Sequence, residues 1–177
     1  LRALETFAIK HYQDDPCTNF EIKDFENDTN PFDDEPLLSK MHKAISVIQF
    51  KLEGKCSDEY PEYGFAKRNF LDKIDYEAGT VEIEGKTYQM LDMNFPTIDR
   101  EHPYELSEEE AEIVERLVFA FTNCEKLQRH MRFLLNKGSL YKIYNANLLY
   151  HGCVPITEDG QLKEVQIYGS TFKGRAL

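Results

Sequence analysis

Several features that would assign a common function class are missing from this chain of 177 residues. Lys and Arg number 21 against 32 Asp and Glu, a formal net charge of −11, which argues against the basic surface of a general nucleic-acid binder. Its four cysteines are scattered without a Cys-x-x-Cys pair, a pattern typical of neither a zinc ribbon nor a disulfide scaffold. Reduced thiols in a cytoplasmic protein are the simplest interpretation. No apolar run approaches the length that spans a bilayer.

The first 138 residues carry mainly helical patterns. A helix is predicted over about residues 2–12, and a second from about residue 37 to 53, with Gly54 as the glycine that ends it. A shorter helix is predicted to end near Lys73. His42, beside the apolar stripe of the second helix, is interpreted as structural or solvent-facing. The acidic residues 24–36 do not have the spacing of an EF-hand calcium loop, so a solvated connector is the favoured interpretation.

The strongest local signal is Ser107 followed by Glu110. A hydroxyl at the N-cap and a carboxylate three residues later satisfy two backbone donors reciprocally, so a helix is predicted to begin here. A further helix is predicted over about residues 125–136 and ends near Gly138. The apolar stripes of these two helices are predicted to be core; they comprise Val114, Leu117, Val118, Phe121, Leu127, Met131, Leu134 and Leu135.

Short strands are predicted in three places. A hairpin is expected over residues 80–84 and 86–90, joined through Gly85. Residues 139–144 and 147–150 form a second pair around a turn at 145–147. A further strand over residues 163–168 follows the turn at Glu158-Asp159-Gly160.

The second strand pair leads directly into His151 and Gly152. A buried strand that ends in a histidine is suited to present that side chain to a site, and imidazole is the commonest protein ligand of transition metals. A structural or surface histidine is the alternative, because no second ligand lies beside it in the sequence.

This strand–turn–strand–His-Gly unit resembles the late metal-ligand motif of calcineurin-like metallophosphoesterases. Together with its surroundings, the chain resembles class III fructose-1,6-bisphosphatase, the type found in Firmicutes. The segments that carry the resemblance are residues 50–54, 71–76, 94–99, 123–130, 137–141 and 144–155.

The resemblance implies an α+β fold that forms part of an α/β/β/α sandwich. Residues 1–138 would be a mainly helical insertion or cap with one small hairpin, and residues 139–177 a strand segment carrying the His-Gly motif. It implies a cytoplasmic, gluconeogenic phosphatase that converts fructose 1,6-bisphosphate to fructose 6-phosphate and phosphate. It also implies that His151 is a ligand of one of two divalent metal ions, and that these ions are manganese. Arg129 and His130 are candidates for binding the sugar phosphate, although a solvated basic face is the alternative. No catalytic residue is assigned.

The other metal-ligand motifs of the family, Asp-x-His, Gly-Asp-x-x-Asp, Gly-Asn-His and a later Gly-His, are absent from this sequence. The chain starts with Leu rather than Met, so we expect an internal piece of a longer enzyme that is inactive by itself. Its expected partners are the sugar bisphosphate, the remainder of the parent polypeptide and further copies of itself, with no nucleic acid and no membrane. Two other hypotheses stay open: a related phosphoesterase acting on phosphoproteins or nucleotides, and a non-catalytic structural or oligomerisation segment.

Overall fold

A computed structural model describes residues 2–21, 35–139, 141–150 and 152–177. The chain divides into two compact units, Leu1–Val118 and Phe119–Leu177. Helices and small antiparallel sheets make up the described residues, so the predicted α+β class is confirmed. The predicted division after residue 138 concerns a larger fold and stays a prediction. Among the described residues, no helix combines the length and the apolar composition needed to cross a bilayer.

The described part of the chain contains four α-helices. They are α1 (Arg2–His11), α2 (Glu35–Glu59), α3 (Glu108–Thr122) and α4 (Glu125–Lys137). The predicted positions of α1, α3 and α4 are confirmed within one or two residues. Most of the acidic segment at residues 24–36 lies outside the described residues, and its last two positions begin α2. His42 is exposed, and its Nδ1 lies 3.0 Å from the carbonyl oxygen of Phe20, in agreement with a structural or solvent-facing role.

The prediction that Gly54 ends α2 is wrong. The helix continues to Glu59, and Gly54 lies inside it. The ring of Tyr104 occupies the space that a β-carbon at position 54 would fill. Glycine is therefore needed here for the close approach of an aromatic ring and not for a left-handed helix end.

The prediction of a short helix that ends near Lys73 is also wrong, because 3₁₀ turns take its place. Three separate 3₁₀ turns occupy this region: Pro61–Tyr63, Phe65–Arg68 and Leu71–Lys73. Asn69, between the second and third turns, is extended with φ −66° and ψ 129°, a backbone conformation that a continuous helix cannot include.

A three-stranded antiparallel sheet follows in the first unit, in the order β1 (Ile74–Asp75), β2 (Thr80–Ile83) and β3 (Lys86–Gln89). The predicted β2–β3 hairpin is confirmed, with Val81 opposite Tyr88. Glu84 and Gly85 both have positive φ, 50° and 74°, as a two-residue turn matching the twist of the strands requires. The two-residue β1 is too short for its periodicity to be visible in the sequence.

The described strands of the second unit form two separate hairpins. One pairs β4 (Tyr141–Tyr144) with β5 (Asn147–Tyr150), and the other pairs β6 (Glu164–Ile167) with β7 (Ser170–Lys173). Asn145 and Ala146 make the first turn, with φ 49° and 60°. The predicted turn residue Asn147 instead begins β5. The β6 strand was predicted, and β7 was not.

The hydrophobic core lies in the first unit. Its buried members are Leu4, Phe7, Ala8, Tyr12, Cys17, Ala44, Ile48 and Ile113, with Val114 and Leu117 packed against them. The rest of the predicted core is wrong: Val118, Phe121, Met131, Leu134 and Leu135 are 55%, 62%, 46%, 57% and 81% exposed, and Leu127 is half-buried. Their periodicity marks an apolar face correctly, but nothing in the described residues buries it.

Two fully buried lysines of α2 bind groups from other parts of the first unit. Lys43 donates to Asp15 and Asp92 at 2.6 and 2.7 Å. Lys51 donates to the Thr97 carbonyl oxygen at 2.6 Å and to Glu110 Oε2 at 2.7 Å. Buried ammonium groups require such partners, because an unpaired charge in the interior is very costly.

The predicted capping box at the start of α3 is confirmed. The Ser107 N–H donates to Glu110 Oε2 at 2.7 Å, and the Glu110 N–H donates to Ser107 Oγ at 3.2 Å. The carboxylate that caps α3 is thus the one that pairs with Lys51 of α2. The cap consequently fixes the start of α3 against the middle of α2.

Candidate phosphate and metal-ligand site

The strand predicted before position 151 is confirmed, but it is exposed along its whole length and not buried as predicted. The β5 strand ends at Tyr150, and Gly152 has φ 81°, a conformation that glycine adopts without steric cost. His151 itself lies outside the described residues, so its role as a metal ligand stays a prediction.

The described side chains do not fit a two-metal centre by themselves. Within residues 2–21, 35–139, 141–150 and 152–177, no three His, Cys, Asp or Glu side chains lie close enough together to hold a metal ion. Divalent ions with catalytic roles are generally held by several nitrogen or oxygen ligands. The described residues alone therefore do not form a metal centre.

A cleft of about 340 Å³ lies at the junction of α3 and α4. The residues that line it are Thr122, Asn123, Glu125, Gln128, Arg129 and Arg132. Arg129 and Arg132 share a helix face because residues three apart lie nearly one turn from each other. His130, about 100° further around the helix from Arg129, does not line this cleft. Of the two residues predicted from the sequence, Arg129 lines the cleft and His130 does not; the second basic residue of the cleft is Arg132.

Local hydrogen bonds shape the wall of the cleft. Asn123 Nδ2 donates to the Phe119 carbonyl oxygen at 2.9 Å, which satisfies an acceptor in the last turn of α3. Gln128 Nε2 donates to the Phe121 carbonyl oxygen at 3.4 Å. The side chain of Cys124, the N-cap residue of α4, makes no capping hydrogen bond. The first N–H groups of α4 therefore lack a side-chain cap from Cys124.

The charge of the cleft differs in sign from that of the whole chain. Two guanidinium groups and one carboxylate line it, whereas the chain carries a formal net charge of −11. Among the described residues, neither Arg129 nor Arg132 takes part in an ion pair. An arginine fork without a carboxylate partner can bind two phosphate oxygens at once. The sequence signal for this pair is the spacing of three residues between two arginines of one predicted helix.

The buried ionic cluster around Asp15 is structural rather than catalytic. Burial alone would raise the pKa of Asp15, but hydrogen bonds from Lys43 Nζ, the Cys17 N–H and Asn94 Nδ2 outweigh it and lower this pKa. Burial also raises the pKa of the Cys17 thiol to about 11, which keeps it protonated at neutral pH and makes it a poor nucleophile. The ion pairs and hydrogen bonds of this cluster connect α2 to the segment that follows α1 and to the loop at residues 92–97.

Comparison with known proteins identifies the family. The whole chain, residues 1–177, matches the family described as Firmicute fructose-1,6-bisphosphatase. The chain belongs to this family. No solved structure matches it.

The curated relatives of the chain are considerably longer. It is 52% identical over 177 residues to fructose-1,6-bisphosphatase class 3 of Clostridium botulinum strain Langeland, 51% to that of strain Hall and 48% to that of strain Alaska E43. These matches cover 100% of this chain but only 26%, 26% and 27% of the relatives. The resemblance to class III fructose-1,6-bisphosphatase is therefore confirmed over the whole chain, and the chain spans about a quarter of the length of the enzymes it matches.

Proposed function

We propose that this chain is part of a cytoplasmic, gluconeogenic enzyme that hydrolyses fructose 1,6-bisphosphate to fructose 6-phosphate and phosphate. The observation that supports it is the 52% identity, over the whole chain, to proteins named fructose-1,6-bisphosphatase class 3. Identity restricted to the His-Gly motif could not separate this substrate from a phosphoprotein or a nucleotide. Identity that extends through the helices and loops favours the sugar bisphosphate.

In this proposal, His151 supplies one ligand to a centre of two divalent metal ions. The resemblance to the family implies that these ions are manganese. The remaining ligands come from other parts of the enzyme, because the sequence lacks the other metal-ligand motifs of the family. The chain alone would then be inactive, since one imidazole cannot hold two metal ions in a reactive arrangement.

The arginine cleft would bind the phosphate group that is not hydrolysed. Arg129 and Arg132 would each offer two N–H donors to its oxygens, and Asn123 and Gln128 provide neutral polar groups at the rim. Glu125 would accept a hydrogen bond from a sugar hydroxyl, which an inorganic anion lacks. Holding the distant phosphate fixes the position of the reacting one and so lowers the entropic part of the barrier. His130 stays a candidate from the sequence alone.

The experiment uses a chimaeric Clostridium botulinum class 3 enzyme in which this chain replaces the matching residues. In this chimaera, His151→Ala is expected to lower metal-dependent phosphate release more than about tenfold, because a site that loses a ligand group binds metal poorly. His102→Ala, at an exposed histidine of the first unit, is the control and is expected to keep the parental rate. Both variants should keep the far-UV circular dichroism of the parent. Full activity of His151→Ala would remove His151 from the metal centre.

A further inference from the structure

Three buried oxygen atoms of the first unit have no hydrogen-bond partner among the described residues. They are Tyr12 Oη, Thr97 Oγ1 and Glu110 Oε1. Tyr12 is 1% exposed and Glu110 has no exposed surface. An unpaired polar atom in the interior is costly, and native proteins pair nearly all of them with protein groups or with ordered water. Three such atoms in one region therefore point to a partner that they share.

The three residues meet in the same part of the core. Lys51 Nζ donates to the Thr97 carbonyl oxygen at 2.6 Å and to Glu110 Oε2 at 2.7 Å, so both residues contact one ammonium group. Tyr12 and Ile113 belong to the same buried cluster. Because Ile113 lies three residues after Glu110, the two side chains project from the same side of α3. The phenol of Tyr12 and the carboxylate of Glu110 thus approach each other.

The protonation states of these groups follow from their surroundings. Burial is the chief cause of a raised pKa of Tyr12; the nearby Thr97 side chain opposes this increase and the Glu110 carboxylate adds to it. The phenol therefore stays protonated at neutral pH and can donate a hydrogen bond. Glu110 Oε2 already accepts the Lys51 ammonium and the Ser107 N–H. Its Oε1 remains as the acceptor that faces this region.

These donors and acceptors define the chemical class of the shared partner. It must accept a hydrogen bond from the Tyr12 hydroxyl and donate one to Glu110 Oε1, whereas the Thr97 hydroxyl can do either. Lys51 and Glu110 balance each other's charge, so this region has no net charge to hold a metal ion or an anion. Water is the smallest neutral molecule that both donates and accepts, and buried waters typically make about three hydrogen bonds.

We propose that one internal water molecule is bound by Tyr12 Oη, Thr97 Oγ1 and Glu110 Oε1. The Tyr12 hydroxyl donates to the water, the water donates to Glu110, and the Thr97 hydroxyl makes the third hydrogen bond. The water joins the residue that follows α1, the loop at residues 92–97 and the first turn of α3. Together with Lys51, it holds Thr97 by both its backbone and its side chain. This inference does not depend on the proposed function.

A direct hydrogen bond from Tyr12 to Glu110 explains the arrangement less well. It would pair two of the three oxygen atoms and leave Thr97 Oγ1 buried without a partner. A dry arrangement would leave all three atoms unpaired, each at a cost in free energy. One shared water satisfies all three at once.

A crystal structure of this chain, at a resolution that shows ordered waters, tests the proposal directly. One isolated oxygen peak is expected within about 3.2 Å of each of the three side-chain oxygen atoms. Direct contact between the phenol and the carboxylate, without such a peak, would overturn the proposal. So would a peak surrounded by several oxygen atoms at about 2.3–2.6 Å, which would indicate a metal ion such as calcium.

Urea unfolding of this chain provides an independent test. Tyr12→Phe and Thr97→Val each remove one hydroxyl and nearly keep the volume, and each is expected to raise the unfolding equilibrium constant about fivefold or more. The double variant should show clearly less than the product of the two effects, because both single variants weaken the binding of the same water. Tyr88→Phe, at a tyrosine that is 49% exposed, is the matched control and should leave the constant unchanged.

Two results of the unfolding experiment would contradict a shared water. If the hydroxyls have no partner, their removal relieves a cost of burial, and both variants would be as stable as the parent or more stable. If Tyr12 bonds Glu110 directly, Tyr12→Phe would destabilise the chain by the same factor whether residue 97 is threonine or valine.

Discussion

Lys51 and Glu110 form an ion pair at 2.7 Å in which neither side chain has any exposed surface. The oxygen of Glu110 that binds Lys51 also accepts the Ser107 N–H at the start of α3. The other oxygen, Oε1, is buried and has no hydrogen-bond partner among the described residues. The negative charge of Glu110 is therefore balanced within the protein by Lys51, and removing either charge leaves the other uncompensated.

Glu110→Gln is expected to destabilise the chain by about 3–5 kcal/mol, because it leaves the Lys51 ammonium without a counter-charge in the interior. Urea unfolding followed by circular dichroism measures this change. The control is Glu112→Gln, which removes an exposed pair with Arg116 and should cost less than about 1 kcal/mol.

The double variant Lys51→Met/Glu110→Gln separates charge from packing. A glutamine at position 110 can still accept the Ser107 N–H, and methionine fills much of the volume of lysine. We expect the pair to recover most of the stability lost in Glu110→Gln. A double variant as unstable as the single one would show that packing, and not the buried charge, dominates.

Gly54→Ala should destabilise the chain although alanine normally favours a helix interior by about 1 kcal/mol over glycine. The new β-carbon would overlap the ring of Tyr104, whose hydroxyl is held by the Asp72 carboxylate. In a Tyr104→Ala background the same substitution should become stabilising, because the ring is gone. A double-mutant cycle from urea midpoints measures this reversal of sign, and a Gly54→Ala effect independent of residue 104 would contradict the assignment.

Asp15 should make the stability depend on pH in the acid range. Its pKa is lowered in the folded chain because hydrogen bonds, chiefly from Lys43, outweigh the opposing effect of burial. A lowered folded-state pKa stabilises the protein above the unfolded-state pKa, about 3.9, and this contribution is lost as the pH falls through the folded-state value. The advantage of the parent over Asp15→Asn should therefore shrink below about pH 4.

Urea midpoints of both proteins between pH 7 and pH 2.5 check this dependence. Hydrogen bonds from Lys10 and His11 likewise lower the pKa of Glu109, so the parent and the variant share some acid sensitivity, and the difference between them reports Asp15. Asp14→Asn, at an exposed neighbour, is the control. A constant difference between the parent and Asp15→Asn across this range would show that the Asp15 charge is not coupled to folding.

Arg129→Lys and Arg132→Lys should each weaken sugar-phosphate binding by the chimaera. Lysine keeps the charge but loses the two-pronged hydrogen bonding of the guanidinium group, which is worth about 1.5–3 kcal/mol for a charged acceptor. We expect KM for fructose 1,6-bisphosphate to rise about tenfold or more. Lys126→Ala, a basic residue of α4 that does not line the cleft, is the control and should leave KM unchanged. Unaltered KM in both arginine variants would support a solvated basic face instead.

Local chemistry could be predicted from the sequence wherever both partners lie close along the chain. Ser107 and Glu110 are three residues apart, and Glu84-Gly85 lies between two alternating runs, so the capping box and the first hairpin were both expected. The role of Gly54 could not be predicted in this way, because it depends on the ring of Tyr104, which lies about fifty residues away in the chain. The buried Lys43 and Lys51 were missed for the same reason: lysine is normally exposed, and their carboxylates come from α3 and from two loops distant in the chain.

The candidate site was likewise predicted only in part from the sequence. Arg129 was found from the family-like segment, whereas its partnership with Arg132 required the helix geometry and the cleft. The apolar stripe of α4 was predicted to be core, and the described residues leave most of it exposed. The sequence could not indicate this, because periodicity reports which side chains are apolar and not what packs against them.

Phosphate release by the chimaera from fructose 1,6-bisphosphate, with and without manganese and beside this chain alone, tests the central claim most directly. We predict manganese-dependent release by the chimaera and none by the isolated chain. A folded chimaera that is inert on the sugar but cleaves a phosphopeptide or a nucleotide would contradict the substrate assignment. Release by the isolated chain would contradict the conclusion that its metal ligands are incomplete.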